Sequence, residues 1–449
     1  MSDHPTLATL AADLAAGRTT ARKLVDACLA KIADKAGEGA RVFIHVDADG
    51  AIAAAEAMDR LRKANAAPSP FAGIPVSIKD LFDIKGQVSR AGSRTLDDRP
   101  PAASDAPVVA RLRRAGFVGI GRTNMTEFAY SGLGINPHYG TPKNPWRRDV
   151  GHVPGGSSSG AAVSVTDGMA HGALGTDTGG SCRIPAAYCG IVGYKPTARR
   201  IPLEGGLPLS VTLDSYGPIA RSVGCCAVMD AVLANEAIVP VAPRPAKGLR
   251  LAVPTTVMLD DLDSAVARAF ERALDRLAGA GVLIERMAVP EFADIASLNV
   301  GGGFSAAESW AWHRALIAKK ADLYDPRVIS RIRRGESLSA ADYVDLLAMR
   351  RAIITGFERR VAPYDALVAP TVAMTPPVIA DLAGDAAYTR ANMLSLRNCA
   401  LINTVDGCAI SLPCHREGEA PVGLMLAAAG GSDRRIFEIA ASIEPMIRA

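Results

Sequence analysis

The sequence is short of cysteine pairs, long apolar runs and blocks of like charge, and each shortage excludes something. Eight cysteines are scattered over 449 residues, at 28, 182, 189, 225, 226, 399, 408 and 414. None forms a CxxC, and no cysteine–histidine spacing matches a zinc finger. Neither a disulfide framework nor a structural metal site is expected. No stretch approaches the roughly 18 uninterrupted apolar residues of a membrane span. The opening MSDHPTLATLAADLAAG is interrupted by Asp3 and Asp13 and lacks a basic start, unlike a secretory signal. Lys and Arg exceed Asp and Glu by 50 − 46 = 4, with no block of like charges. Neither nucleic acid nor a membrane surface is therefore an expected partner. A soluble cytoplasmic protein is the expectation.

What is present is ample material for a core. Hydrophobic residues make up 49% and charged residues 21%, which excludes disorder. Leu7, Leu10 and Leu14, then Leu24, Ala27, Cys28 and Ile32, recur at helical spacing, with Gly17 between them. VFIHVD (42–47) reads as extended, 51–65 as an alanine-rich helix and GIPVSIKD (73–80) as a strand. Residues 106–116 read as a helix and 117–124 as a strand. After the proline-rich 240–248 come a strand at 249–254, a helix at 263–281 and a strand at 282–289. That order predicts a right-handed crossover with parallel pairing. A long helical region to about 360 follows. Strands are expected at 365–371, 408–413 and 422–430, and a closing helix at 433–447. The pattern is α/β.

Glycine is concentrated in one place. Twelve of the 54 residues from 140 to 193 are glycine, against 42 of 449 overall. Such density means sharp turns and close backbone approach, and the interspersed AAVSV and GIVGY argue against a linker.

The common catalytic patterns fail. None of the seven histidines (4, 45, 138, 152, 171, 313 and 415) completes a recognisable Ser-His-Asp motif, although His152 and His171 flank the glycine-rich stretch. GGSSSG (155–160) lacks the GK[ST] of a P-loop, and GAGVLI (279–284) lacks a dinucleotide fingerprint. Nothing evident lowers the pKa of Cys182. Three pieces remain. Lys79 ends an apolar strand; desolvated it can be a base, and otherwise it snorkels to the surface. Ser157 in PGGSSSG is either a loop serine or a catalytic one. Ser181 follows Gly179 and Gly180 in GTDTGGSCRIP, where bare amides can face a bound atom or merely form a tight turn. Arg183 can anchor Asp177 or a carbonyl.

GIPVSIKD, PGGSSSGAA and GTDTGGSCRIPAAYCGIVGYKPT (175–197) resemble the amidase signature family. So, in order, do GRTNMTEFA (121–129), TPKNPW (141–146), DSYGPIARSV (214–223), YDALVAPT (364–371) and PVGLMLAA (421–428). The resemblance runs from about residue 5 to the end. It implies one large domain over 1–449, with N-terminal helices (5–65), a catalytic core (66–235) and a variable substrate-side and C-terminal part (236–449). It implies a central mixed twisted β-sheet covered on both faces by helices. It implies a Ser–cis-Ser–Lys triad: Lys79 as base, Ser157 as bridge with a cis bond at Gly156–Ser157, and Ser181 as nucleophile, 24 positions after Ser157. Thr178, Gly179 and Gly180, with Ser181 itself, are implied as the oxyanion-hole segment through their backbone N–H groups, with Ser158, Asp177 and Arg183 in support. Two positions depart from the usual pattern, Ser159 for glycine and Cys182 for Ile or Val, and neither touches the triad.

The implied activity is amide hydrolysis through an acyl-enzyme on Ser181, with Ser157 and Lys79 relaying protons and no cofactor or metal. The expected partner is a small-molecule amide, and a homodimer is left open. A second reading is the amidase subunit of a tRNA-dependent Glu/Asp amidotransferase. Glutaminase members usually follow the lysine with Asp-Asn, whereas Asp80-Leu81 stands here. A third is an inactive amidase-like binding scaffold. Candidates for the substrate pocket are Met125, Phe128, Tyr130 and Ser131, with Phe304 and Trp310; core packing is the competing reading for each.

Overall fold

The computed structural model describes residues 5–448; His4 lies outside them. The strands are β1 Phe43–Val46, β2 Pro75–Lys79, β3 Val118–Thr123, β4 Gly172–Thr176, β5 Val192–Lys195 and β6 Tyr216–Ala220. Then come β7 Arg250–Pro254, β8 Leu283–Met287, β9 Ala366–Pro370, β10 Cys408–Pro413 and β11 Gly423–Ala428. All join one 11-stranded sheet in the order β1-β3-β2-β4-β6-β5-β10-β11-β9-β7-β8. It is mixed. β2 runs parallel to both β3 and β4, and β7 parallel to β8 and β9. β10 is antiparallel to β5 and β11.

Strand periodicity sends alternate residues to opposite faces, and both faces are buried. On β10, Ile410 and Leu412 enter one core while Ala409 enters another. On β11, Leu424 and Leu426 separate in the same way from Met425 and Ala427. The first face is covered by helices Pro107–Arg114, Val223–Ala234, Ser264–Gly279 and Asp433–Ile447. The closing helix shows why. Ile436, Phe437, Ile439, Ala440, Ile443 and Ile447 form a wide apolar stripe that the sheet buries. Each such large side chain contributes about 1.5–3 kcal/mol on burial.

The second face is covered by Ser159–Thr166 and Arg183–Cys189, and by the long helix Asp385–Thr404. The N-terminal helices Leu7–Ala15 and Ala21–Ala33 begin at Thr6 and Thr20, whose hydroxyls accept from Thr9 N and Lys23 N. The strand–helix–strand unit at 249–289 pairs in parallel, Leu251 opposite Ile284. Among the described residues no helix is long and apolar enough to cross a membrane.

Candidate active site

The carboxyl ends of parallel β2, β3 and β4 converge, and loops leaving such ends are where open α/β sheets hold ligands. Lys79 ends β2 opposite Thr123, the last residue of β3. Thr176 ends β4. Lys79 is completely buried. Its Nζ donates to Ser157 Oγ at 2.7 Å and to Thr176 Oγ1 at 2.7 Å. Burial drives its pKa down to about 7, against the opposing pull of Cys182, Asp177 and Asp214. A lysine so placed is a neutral amine for much of the time near neutral pH.

Ser157 lies in a turn ahead of helix Ser159–Thr166, and the Gly156–Ser157 peptide is cis. Backbone closes on backbone there. Gly156 N donates to Gly132 O at 2.8 Å and Thr126 N to Ser157 O at 3.1 Å. A Cβ on Gly156 would lie 2.5 Å from Gly134 N, so only glycine fits. Ser158 Oγ donates to Thr176 O at 3.3 Å.

Ser181 sits in the turn between β4 and helix Arg183–Cys189, and Asp177 organises that turn. Its carboxylate accepts from Gly180 N at 2.8 Å and Cys182 N at 3.2 Å. It also accepts from Arg183 at 2.9 and 3.0 Å and from Asn403 Nδ2 at 2.9 Å. Burial alone would raise this carboxyl's pKa, but Arg183, Lys195 and Asn403 hold it well below the usual range. Arg183 further donates to Cys399 O at 3.1 Å and Asn403 Oδ1 at 2.6 Å. Removing one partner of a buried pair leaves a bare charge. Arg183→Ala should therefore cost about 3–5 kcal/mol of stability. A urea midpoint unchanged from the parent would show that the pair contributes nothing.

Two hydrogen-bonding features of the turn bear on the expected site. Of the amides assigned to the oxyanion, that of Gly180 is already donated to Asp177. Among the described residues nothing accepts from the amides of Thr178, Gly179 or Ser181. The structure also joins Lys79 to Ser157 but shows no hydrogen bond between Ser157 and Ser181 among the described residues.

The candidate pocket residues divide. Met125 is fully buried. Phe128 packs in a ring cluster with His313, Trp312 and Tyr324, centroids 4.3–6.1 Å away. Ser131 Oγ bonds Asn392 and Tyr388, each at 2.8 Å. Tyr130 is half-buried, with burial raising its pKa to about 12. Phe304 is buried against Tyr343, and Trp310 is half-buried in the core. Cys182 is buried and its thiol pKa is pushed up by that burial. His152 Nδ1 donates to Pro376 O at 2.7 Å. Among the described residues no cluster of His, Cys, Asp and Glu suits a metal.

Sequence reasoning missed four contributors: Thr176, Asp214, Asn403 and the Leu396–Ala400 face. Asp214 accepts from Thr178 Oγ1, Leu209 N and Ser210 N. Gly179 faces Leu396 and Ala400.

The comparisons agree with this architecture. The family model Amidase matches residues 23–437. A 2-amino-5-chloromuconic acid deaminase of Comamonas testosteroni is 39% identical, over 99% of this chain and 96% of that protein. A glutamyl-tRNA(Gln) amidotransferase subunit from Streptomyces coelicolor is 31% identical, over 98% of this chain and 95% of that protein. Among solved structures, a crystal structure of an amidase matches with TM-score 0.89 and 28% identity, over 99% of this chain and 100% of that one. With a family match across most of its length and this shared sheet, the chain belongs to the Amidase family, the amidase signature enzymes that hydrolyse carbon–nitrogen bonds.

Proposed function

We propose that the chain hydrolyses a small carboxylic amide to an acid plus ammonia or an amine, through an acyl-enzyme on Ser181. The observation that carries this reading is the buried Lys79 amine, 2.7 Å from Ser157 Oγ with its pKa near 7. Neutral Lys79 takes the proton of Ser157 as Ser157 takes that of Ser181. Ser181 Oγ attacks the carbonyl carbon, and the carbonyl oxygen becomes an oxyanion held by the amides of Thr178, Gly179 and Ser181. Ser157 returns a proton to the leaving nitrogen and the C–N bond breaks. Water then enters by the reverse relay and releases the acid. Catalytic hydrogen bonds often tighten only with substrate bound, which fits the open Ser157–Ser181 step.

The Comamonas relative supports a second reading. It is named for deaminating an unsaturated amino diacid, so ammonia release from such a compound is a substrate class for the same site. The amidotransferase reading is weaker. Leu81 stands where glutaminase members usually carry Asn, and Asp80 beside it is turned to Arg122 Nε at 2.7 Å and Gly92 N at 3.0 Å. Ammonia release should be assayed with aryl and aliphatic amides, glutamine and a 2-aminomuconic acid. Turnover of simple amides supports amide hydrolysis, and turnover of the amino diacid alone supports the deaminase. Turnover of glutamine alone favours the amidotransferase reading, and none at all favours a scaffold.

The relay predicts a substrate-dependent defect. Ser157→Ala should lower kcat on amides by at least about 10²-fold, with KM little changed. Esters leave as alkoxides or phenolates and need less protonation than amines, so a matched activated ester should suffer less. Equal losses would make Ser157 a base only, and no loss on either would remove it from the relay.

A further inference from the structure

Residues 209–215 form a loop with anchors on two sides. On one side it holds the start of the oxyanion segment. Asp214 accepts from Thr178 Oγ1, and its own loop folds onto it through Leu209 N at 3.0 Å and Ser210 N at 3.1 Å. Next to it, Ser215 O accepts from Asp177 N at 2.7 Å, and Ser215 Oγ donates to Asp177 O at 2.8 Å. Residues 177 and 178 are thus placed by 214 and 215.

On its other side the loop meets a single carboxylate from the second half of the chain. Glu308 projects from helix Gly303–Lys320. Its Oε2 accepts from Ser210 Oγ at 2.5 Å and Thr212 N at 3.1 Å. Its Oε1 accepts from Thr212 Oγ1 and from Tyr343 OH, the latter at 2.6 Å. Tyr343 comes from another helix, Ala340–Val361. A carboxylate offers about four acceptor positions, so Glu308 has none left for a ligand. It is a clamp.

We propose that Glu308 is a positioning residue for hydrolysis: it fixes loop 209–215, and through Asp214 it sets the Thr178 amide where the oxyanion forms. The inference rests on the Ser181 chemistry proposed above. Oxyanion stabilisation depends on donors aimed within tenths of an ångström at a charge that exists only in the transition state. A clamp acting through two hydrogen-bonded steps should therefore govern kcat and leave ground-state binding nearly untouched.

Glu308→Gln keeps the size but turns an amide N–H₂ toward one pair of donors. Its kcat on a cleaved amide should fall about 10- to 100-fold, with KM within about twofold. The rate of Ser181 labelling by a fluorophosphonate, whose adduct resembles the oxyanion, should fall with it. Tyr343→Phe removes one donor without disturbing packing and should show a smaller loss of the same kind. The double variant Asp214→Asn, Glu308→Gln should lose about as much as Asp214→Asn alone, since both act on one element. A lowered melting temperature with unchanged kcat in Glu308→Gln and Tyr343→Phe would overturn the inference, as would fully multiplicative losses in the double variant. Ser181→Ala, assayed alongside, separates the failures. If it stays active, the reading of the site falls and the inference with it; if it is inactive while Glu308→Gln keeps full kcat, only the inference falls.

Discussion

Ser181→Ala should lose about 10⁴-fold or more in kcat while unfolding like the parent. Both halves follow from the surroundings of the side chain. On the proposed route Ser181 Oγ forms the acyl-enzyme, so removing it removes the whole covalent path and the loss is that of the relay as a unit. No neighbour can replace it. Cys182 is completely buried, its thiol pKa is raised by that burial, and its Sγ is turned to Gly217 O at 3.5 Å. Stability should be preserved because Ser181 Oγ has no hydrogen-bond partner among the described residues, so the change orphans nothing. Deleting an unpartnered hydroxyl normally stays within about 0.5 kcal/mol. Mass spectrometry after fluorophosphonate treatment gives a second readout. The parent should carry one adduct on the peptide containing Ser181, and Ser181→Ala none. An adduct on Cys182, or turnover above a few per cent in the variant, would assign the nucleophile elsewhere.

The sequence was most legible where apolar periodicity was undiluted. The closing helix expected at 433–447 is found at Asp433–Ile447, and the crossover at 249–289 has the expected order and parallel pairing. Legibility failed where polar residues face inward. Helix Asp385–Thr404 has no readable apolar stripe because its buried face includes Asn392, Ser395, Asn398 and Asn403. Each of these braces a neighbouring segment. Asn392 accepts from Gly132 N at 2.9 Å, and Ser395 meets Tyr188 OH at 2.7 Å. Asn398 donates to Pro370 O at 2.8 Å, and Asn403 holds Asp177. β4 and β5 are hidden for a related reason. GALGT and VGYK carry glycines where chains approach closely: a Cβ on Gly193 would lie 2.3 Å from Cys182 O. Local rules break where the site demands it.

The candidate site divides along the same line. Lys79, Ser157 and Ser181 could be named because each stands in a short motif with its own chemistry. Asp214, Glu308 and Asn403 lie 33, 127 and 222 positions beyond Ser181 (214 − 181, 308 − 181 and 403 − 181). Only the fold brings Asp214 and Asn403 to the turn and Glu308 to the loop behind it, and no local spacing encodes that. The amide of Gly180 shows the converse. Its motif suggests a donor to the oxyanion, and in the fold it donates to the Asp177 carboxylate that shapes the turn.

Lys79→Met should cost at least about 10³-fold in kcat/KM, and Lys79→Arg should not recover it. A general base is typically worth about 10²–10⁴-fold, and here its loss also disables Ser157. Arginine keeps its proton throughout the accessible range and cannot act as a base. In the parent, kcat/KM should climb tenfold per pH unit below about 7 and level off above it, following the neutral amine. Asp214, raised to about 7 by burial, titrates in the same range. The limb therefore has to be measured again in Asp214→Asn, where it should persist at lower amplitude; its disappearance there would assign it to the carboxyl. Stability supplies an independent check. An unfolded lysine has a pKa of about 10.4, and the folded Lys79 one of about 7. Between those values the unfolded chain holds a proton that the folded chain lacks, so folding is increasingly favoured as pH rises through that window. The slope approaches about 1.4 kcal/mol per pH unit. Below about 7 the buried charge is a full penalty, and Lys79→Met should there be the more stable protein. Its advantage should shrink steadily up to about pH 10. A parent and a variant whose stabilities run parallel over that range would mean that Lys79 keeps its proton when folded, and the relay would lose its base.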